Sequence, residues 1–135
     1  MKILGIDYGE ARIGVAVSDA LGFLATPLDT ICEKDRKSQL EKVALVAREH
    51  NVEKIVVGLP KHLDGTIGHR ATYTEEFAKD LCEMTNIPYI MWDERLTSTE
   101  AHRILETSGV SGKKRKTKVD KIAAVIILQG YLDSL

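Results

Sequence analysis

The chain has 135 residues, 44% of them hydrophobic and 29% charged, and a formal net charge of -1; this is the profile of one globular domain that buries roughly two-thirds of its unfolded surface in a single core. No apolar run approaches the roughly 18 to 20 residues that cross a bilayer, and the near-neutral charge excludes a uniformly basic nucleic-acid binder while allowing local patches. The two cysteines, Cys32 and Cys82, have neither CxxC spacing nor a histidine cluster beside them, which argues against zinc and against a disulfide scaffold.

The first residues enter a predicted strand at once, without a basic leader or cleavage site, so the expected location is the cytoplasm with no membrane partner. Lys2 to Ile6 reads as a strand covered on both faces and runs directly into Asp7, Tyr8 and Gly9. Asp7 has two readings. It can open a tight turn in which Gly9 takes a positive φ, or it can belong to a site completed by other acids. Ala11 to Ser18 returns as a hairpin strand, with Ile13, Val15 and Val17 on one face and the nearly bare Gly14, Ala16 and Ser18 on the other. Leu21 to Ile31 contains Gly22 and Pro27 and is predicted to be an edge strand with an irregular entry.

Asp35 begins a predicted helix whose apolar stripe is Leu40, Val43, Ala44 and Ala47, and Asn51 ends it. Val52 to Leu59 follows as a short buried strand, so a βαβ unit with a parallel pairing enters the sheet. Gly58-Leu59-Pro60 closes that strand. Lys61 to Thr66 is a predicted loop with an Asp64-Gly65 turn, beyond the carboxyl end of a parallel strand where binding residues concentrate. His69 to Thr85 is a predicted helix with Tyr73, Phe77, Leu81 and Met84 along one face, the aromatics being read as core. Asn86 and Pro88 separate it from a strand at Tyr89 to Trp92, which ends in Asp93, Glu94 and Arg95.

Thr97-Ser98-Thr99-Glu100 is a capping box with Thr97 as N-cap, opening a helix through Ala101, Ile104 and Leu105. Gly109 to Lys118 is predicted to be a loop, and its run Lys113, Lys114, Arg115, Lys116 and Lys118 is the strongest local charge bias in the chain. A final helix is predicted from about Val119 to Tyr131, uniformly apolar from Ile122 to Leu128, with Asp120 in its first turn. Residues 1–135 hold no internal repeat and form one expected domain.

Asp7 and the Asp93/Glu94 pair thus end strands, and Asp120 begins an inward-packed helix. If the two strands lie side by side, these acids share one edge of the sheet. Clustered carboxylates repel unless protonated or neutralised, and a divalent cation with oxygen ligands neutralises them. One or two Mg²⁺ or Mn²⁺ ions would suit in-line phosphoryl displacement, paired ions lying about 3.5 to 4 Å apart. Arg12, Arg95, Lys61 and the basic run are the candidate phosphate contacts, an ion pair with a neighbouring acid being the other reading of each arginine.

Four blocks in order, GIDYGEARIGVAVSD at Gly5 to Asp19, VVGLPKHLDGT at Val56 to Thr66, DERLTSTEA at Asp93 to Ala101 and KVDKIAAVIILQGYL at Lys118 to Leu132, resemble the YqgF family of pre-16S rRNA nucleases and Holliday junction resolvase-like proteins. The resemblance spans essentially the whole chain. It implies an α/β, RNase H-like fold: a mixed five-stranded sheet, its first three strands antiparallel and the rest parallel, flanked by helices. It also implies a metal-dependent nuclease with Asp7, Glu94 and Asp120 as metal-binding catalytic acids and Asp93 as a supporting residue or alternative ligand. Gly5, Gly9, Gly58, Gly65 and Thr97 take structural roles. The implied partners are structured nucleic acid, RNA favoured over DNA, and pre-ribosomal particles. Two alternatives stand beside this: a resolvase-like DNA endonuclease, and a non-catalytic RNA-binding factor for ribosome maturation. The sequence identifies no dimer surface.

Overall fold

The computed structural model describes residues 1–59, 68–93 and 112–135, with the backbone alone at 69 and 112–120. Strand β1 (Ile3–Asp7) is central, pairing antiparallel with β2 (Arg12–Ser18) and parallel with β5 (Lys54–Leu59). Beyond β5 lies β6 (Tyr89–Asp93), also parallel. The far edge of β2 carries two short antiparallel strands in succession, β3 (Ala25–Pro27) and β4 (Ile31–Cys32). The order β3-β2-β1-β5-β6 therefore has five positions, the outermost one broken where Pro27 cannot continue a ladder. β5 separates β1 from β6, so the two acid-bearing strands are not neighbours.

Alternation divides the core into two layers. Leu4, Ile6 and Tyr8, with Ile13, Val15, Val17, Ile55 and Val57, face helices α1 (Arg36–Glu49) and α2 (His69–Thr85). Phe77, Leu81 and Val43 complete that layer, each wholly buried, and burying a side chain of this size contributes about 1.5–3 kcal/mol. On the other face Ile3, Ala16 and Val56 pack against α3 (Gly112–Asp133) through Ala124, Ile127, Leu128, Tyr131 and Leu132. The helix lies close because Gly5 has no side chain: a Cβ there would stand 2.6 Å from Leu128 Cβ and 3.2 Å from the Ala124 carbonyl oxygen.

The helix boundaries have local causes. Asp35 caps α1, its carboxylate accepting from the Ser38 backbone N–H at 3.0 Å, and Asn51 follows the helix at φ 53°. Asn86 ends α2 in the left-handed region, its N–H reaching the Cys82 carbonyl at 2.8 Å.

Three expectations are corrected. α3 begins at Gly112, so the basic run from Lys113 to Lys118 belongs to a helix and not a loop, and Asp120 lies about two turns inside it. Lys and Arg are good helix formers, and periodicity of apolar residues alone underestimates a helix whose first turns carry no apolar stripe. Tyr73 is 52% exposed and Met84 is also exposed; the buried stripe of α2 is Ala71, Thr74, Phe77, Ala78 and Leu81, the i, i+3, i+4, i+7 set shifted by one residue from the aromatic spacing. Gly9 is needed for space, because a Cβ would fall 2.4 Å from the Arg12 carbonyl oxygen, and among the described residues Gly22 is the glycine with positive φ.

Candidate functional site

Asp7 is the last residue of β1 and is only 8% exposed. It shares a face with Ile3 and Gly5, the face covered by α3. Its partner across β2 is Gly14, and one step beyond the Ile6–Val57 pair it stands level with Gly58 in β5. Gly14 falls on the Ala16 side of β2 and Gly58 on the Val56 side of β5, so both glycines share Asp7's face. The carboxylate is thus flanked within the sheet by two positions without side chains.

The course of α3 relates residue 120 to this position. Lys54, level with Ile3, donates to the Tyr131 hydroxyl at 2.6 Å, whereas Ala124 lies over Gly5. The helix therefore runs opposite to β1. Four residues back from Ala124 is about 6 Å, and two residues on from Gly5 is about 6.6 Å; the backbone of residue 120 is carried toward the Asp7 end of the sheet. Residues 120, 124 and 128 form one i, i+4 ridge. The Asp120 side chain lies outside the described residues, as do those of Lys113, Lys114, Arg115, Lys116 and Lys118.

Asp93 ends β6 level with Leu59 and is exposed. Its strand neighbours divide: Tyr89 and Met91 pack on the layer with α1 and α2, and Ile90 and Trp92 on the layer with α3. Asp93 follows Tyr89 and Met91, so it occupies the face opposite Asp7. Glu94, Arg95, Thr97, Lys61 and Gly65 lie outside the described residues. Arg12 opens β2 at the same end of the sheet and, two residues before Gly14, on Asp7's face. Among the described residues no group of three or more His, Cys, Asp or Glu forms a metal cluster.

The loop after Asp7 is held by a residue that the periodicity of α1 passes over. Gln39, wholly buried, directs its amide nitrogen to the carbonyl oxygens of Glu33 at 2.7 Å, Glu10 at 2.8 Å and Gly9 at 3.3 Å. Its position one turn before Val43 was the available signal. Tyr8 turns to the other layer, its ring centroid 4.5 Å from that of Phe77, and burial raises its phenol pKa above 10.0. Arg70 Nη2 donates to the Tyr8 carbonyl at 3.4 Å.

A central strand ending in a buried acid, an antiparallel strand on one side, parallel strands on the other and a long C-terminal helix across one face define an RNase H-like fold of the resolvase type. Among solved structures it is similar to T. thermophilus RuvC in complex with a Holliday junction substrate (TM-score 0.62, 15% identity, covering 99% of this chain and 94% of that one). It is also similar to the fowlpox virus resolvase in complex with substrate Holliday junction DNA (TM-score 0.59, 16% identity, covering 99% and 98%). The chain belongs to the RuvX family, described as Holliday junction resolvase, whose family model matches residues 1–134. Relatives named "Putative pre-16S rRNA nuclease" include one from Shouchella clausii, 49% identical over 98% of this chain and 95% of its own length. Another, from Bacillus thuringiensis, is 46% identical over 99% of both. No helix among the described residues is long and apolar enough to cross a membrane.

Proposed function

We propose that this protein is a divalent-metal-dependent nuclease that hydrolyses phosphodiester bonds in structured RNA, acting in 5′-end maturation of the small-subunit ribosomal RNA precursor. The observation that carries this reading is Asp7: a carboxylate buried at the end of the central strand, between Gly14 and Gly58, on the face crossed by α3. Names of the full-length relatives support the RNA substrate.

The donor chemistry fits Mg²⁺ or Mn²⁺. Carboxylate oxygens are hard ligands, and neither sheet neighbour of Asp7, Gly14 or Gly58, carries a side chain to compete with a cation. Asp7, Glu94 and Asp120 are the proposed holders. Glu94 is preferred to Asp93 because Asp93 sits on the face opposite Asp7. A bound divalent cation supplies Lewis acidity toward a phosphate oxygen. Arg12, on Asp7's face at the same edge, is the proposed phosphate contact, joined by Lys61, Arg95, Lys113, Lys114, Arg115, Lys116 and Lys118 along the path of the chain. We place the protein in the cytoplasm, with pre-ribosomal particles as its partners.

A second reading keeps the chemistry and exchanges the substrate for four-way DNA junctions, favoured by the family description and the resolvase-like fold. Parallel cleavage assays on precursor rRNA and on a four-way junction, with Mg²⁺, Mn²⁺ or chelator, separate the two. Metal-dependent RNA cleavage that disappears in Asp7→Asn is the expected result. Cleavage at the wild-type rate by Asp7→Asn refutes the metal site, and metal-insensitive RNA binding without cleavage supports a non-catalytic maturation factor instead.

A further inference from the structure

Away from the Asp7 carboxylate, the structure has a hollow of about 430 Å³ lined by Tyr8, Gly9, Glu10, Arg70 and Tyr73. Its position is defined by sequence adjacency, since Tyr8, Gly9 and Glu10 are the three residues that follow Asp7. It opens over the first turns of α2, on the sheet face opposite the carboxylate. Arg70 and Tyr73 are one helical turn apart and so stand beside each other at its mouth. Tyr73 exposes 52% of its surface although it is aromatic, and the packing needs of α2 are met by Thr74, Phe77, Ala78 and Leu81. Tyr8 forms the fixed apolar wall, buried and packed on Phe77.

This lining has the two elements that single-stranded nucleic acid requires: an exposed ring on which a base stacks without regard to sequence, and a cation beside it for the backbone. Glu10 disfavours a phosphate deep in the hollow and favours a base, whose exocyclic amino or imino hydrogens a carboxylate accepts. The Arg70 guanidinium is anchored by one N–H to the Tyr8 carbonyl, leaving its fork to meet a phosphate at the rim. The Gln39 clamp on the Gly9 and Glu10 carbonyls keeps this wall in place.

We propose that the hollow is a nucleobase subsite for an unpaired nucleotide adjoining the scissile phosphate, Tyr73 stacking on the base and Arg70 contacting its phosphate. The inference rests on the nucleic-acid reading above and places the strand over the sheet edge, from the Asp7 face to the α2 face.

Binding is measured by fluorescence anisotropy in chelator, so that hydrolysis does not enter, using a short 3′-labelled oligouridylate and the same oligomer with single abasic positions. Tyr73→Ala is expected to weaken binding of the intact oligomer roughly tenfold, Tyr73→Phe to restore it, and the Tyr73→Ala loss to vanish with one abasic position. Arg70→Gln is expected to reduce the slope of log affinity against log salt by about 0.7, one single-strand phosphate contact. Wild-type affinity in Tyr73→Ala, an equal loss on every abasic probe, or no binding by the wild-type protein overturns the subsite. Because Asp7→Asn is scored separately by cleavage, failure of the metal site and failure of the base subsite give different results.

Discussion

Asp7 and Gly14 are cross-strand partners at the turn end of the β1–β2 hairpin, so the buried carboxylate has a hydrogen atom where another residue would place a side chain. Replacing Gly14 by Val supplies a good strand former while occupying the space beside Asp7. Single-turnover cleavage is expected to fall by about 100-fold, the scale of a misplacement near 1 Å at a reacting centre, with the fold retained by circular dichroism. Cleavage at the wild-type rate would show that this space is not used.

Gly5→Ala tests the seating of α3. The added methyl would meet Leu128 Cβ at 2.6 Å, and one of the two elements must shift. The expected cost is about 1–3 kcal/mol in urea denaturation, typical of overpacking. Activity is expected to fall more than stability explains, since the shifted helix also carries residue 120. A suppressor that removes the clashing Cβ, Leu128→Gly, is expected to recover part of the activity at a further cost in stability.

Gln39→Leu keeps the volume and removes the amide that serves Gly9, Glu10 and Glu33. Leaving their carbonyls without that donor is expected to destabilise the protein by about 1–3 kcal/mol, and amide exchange of the Gly9 and Glu10 segment is expected to rise more than that of β5. Unchanged exchange there would mean that the hairpin holds the loop without the clamp.

Asp19 sets an acid-side pH dependence. Its Oδ1 accepts from the backbone N–H groups of Phe23 at 2.7 Å and Leu24 at 3.1 Å, and these bonds hold its pKa below the usual 3.8. A depressed folded-state pKa stabilises the fold above the unfolded value, and that contribution is lost as pH falls through the folded value. The melting-temperature advantage of wild type over Asp19→Ala is therefore expected to be constant near neutrality and to shrink below pH 3.8. An advantage that grows on acidification would contradict the assignment.

Much of the fold was legible from local pattern. The β1–β2 hairpin follows from alternation at Ile13, Val15 and Val17, the βαβ crossover from the stripe at Leu40, Val43, Ala44 and Ala47, and the helix ends from Asp35, Asn51 and Asn86. Local signals were weaker where a residue's neighbour is distant in sequence. Tyr73 has the spacing of a core residue, yet its neighbours Thr74 and Phe77 take the buried side of α2 and it faces outward. Gln39 looks like a surface residue of an amphipathic helix until the Gly9 and Glu10 carbonyls are brought beneath it.

Asp7 shows the division most clearly. Its place at the end of an apolar strand, and the presence of acids at Asp93, Glu94 and Asp120, were determined by the sequence itself, because strand and helix periodicities are local properties. Which faces Asp7 and Asp93 take was decided only by tertiary structure. β5 intervenes between β1 and β6, Asp93 falls on the layer of α1 and α2, and Asp7, Gly14 and Gly58 fall on the layer of α3. These are consequences of register between strands far apart in the chain, and register is set by how two helical layers pack on opposite faces of one sheet.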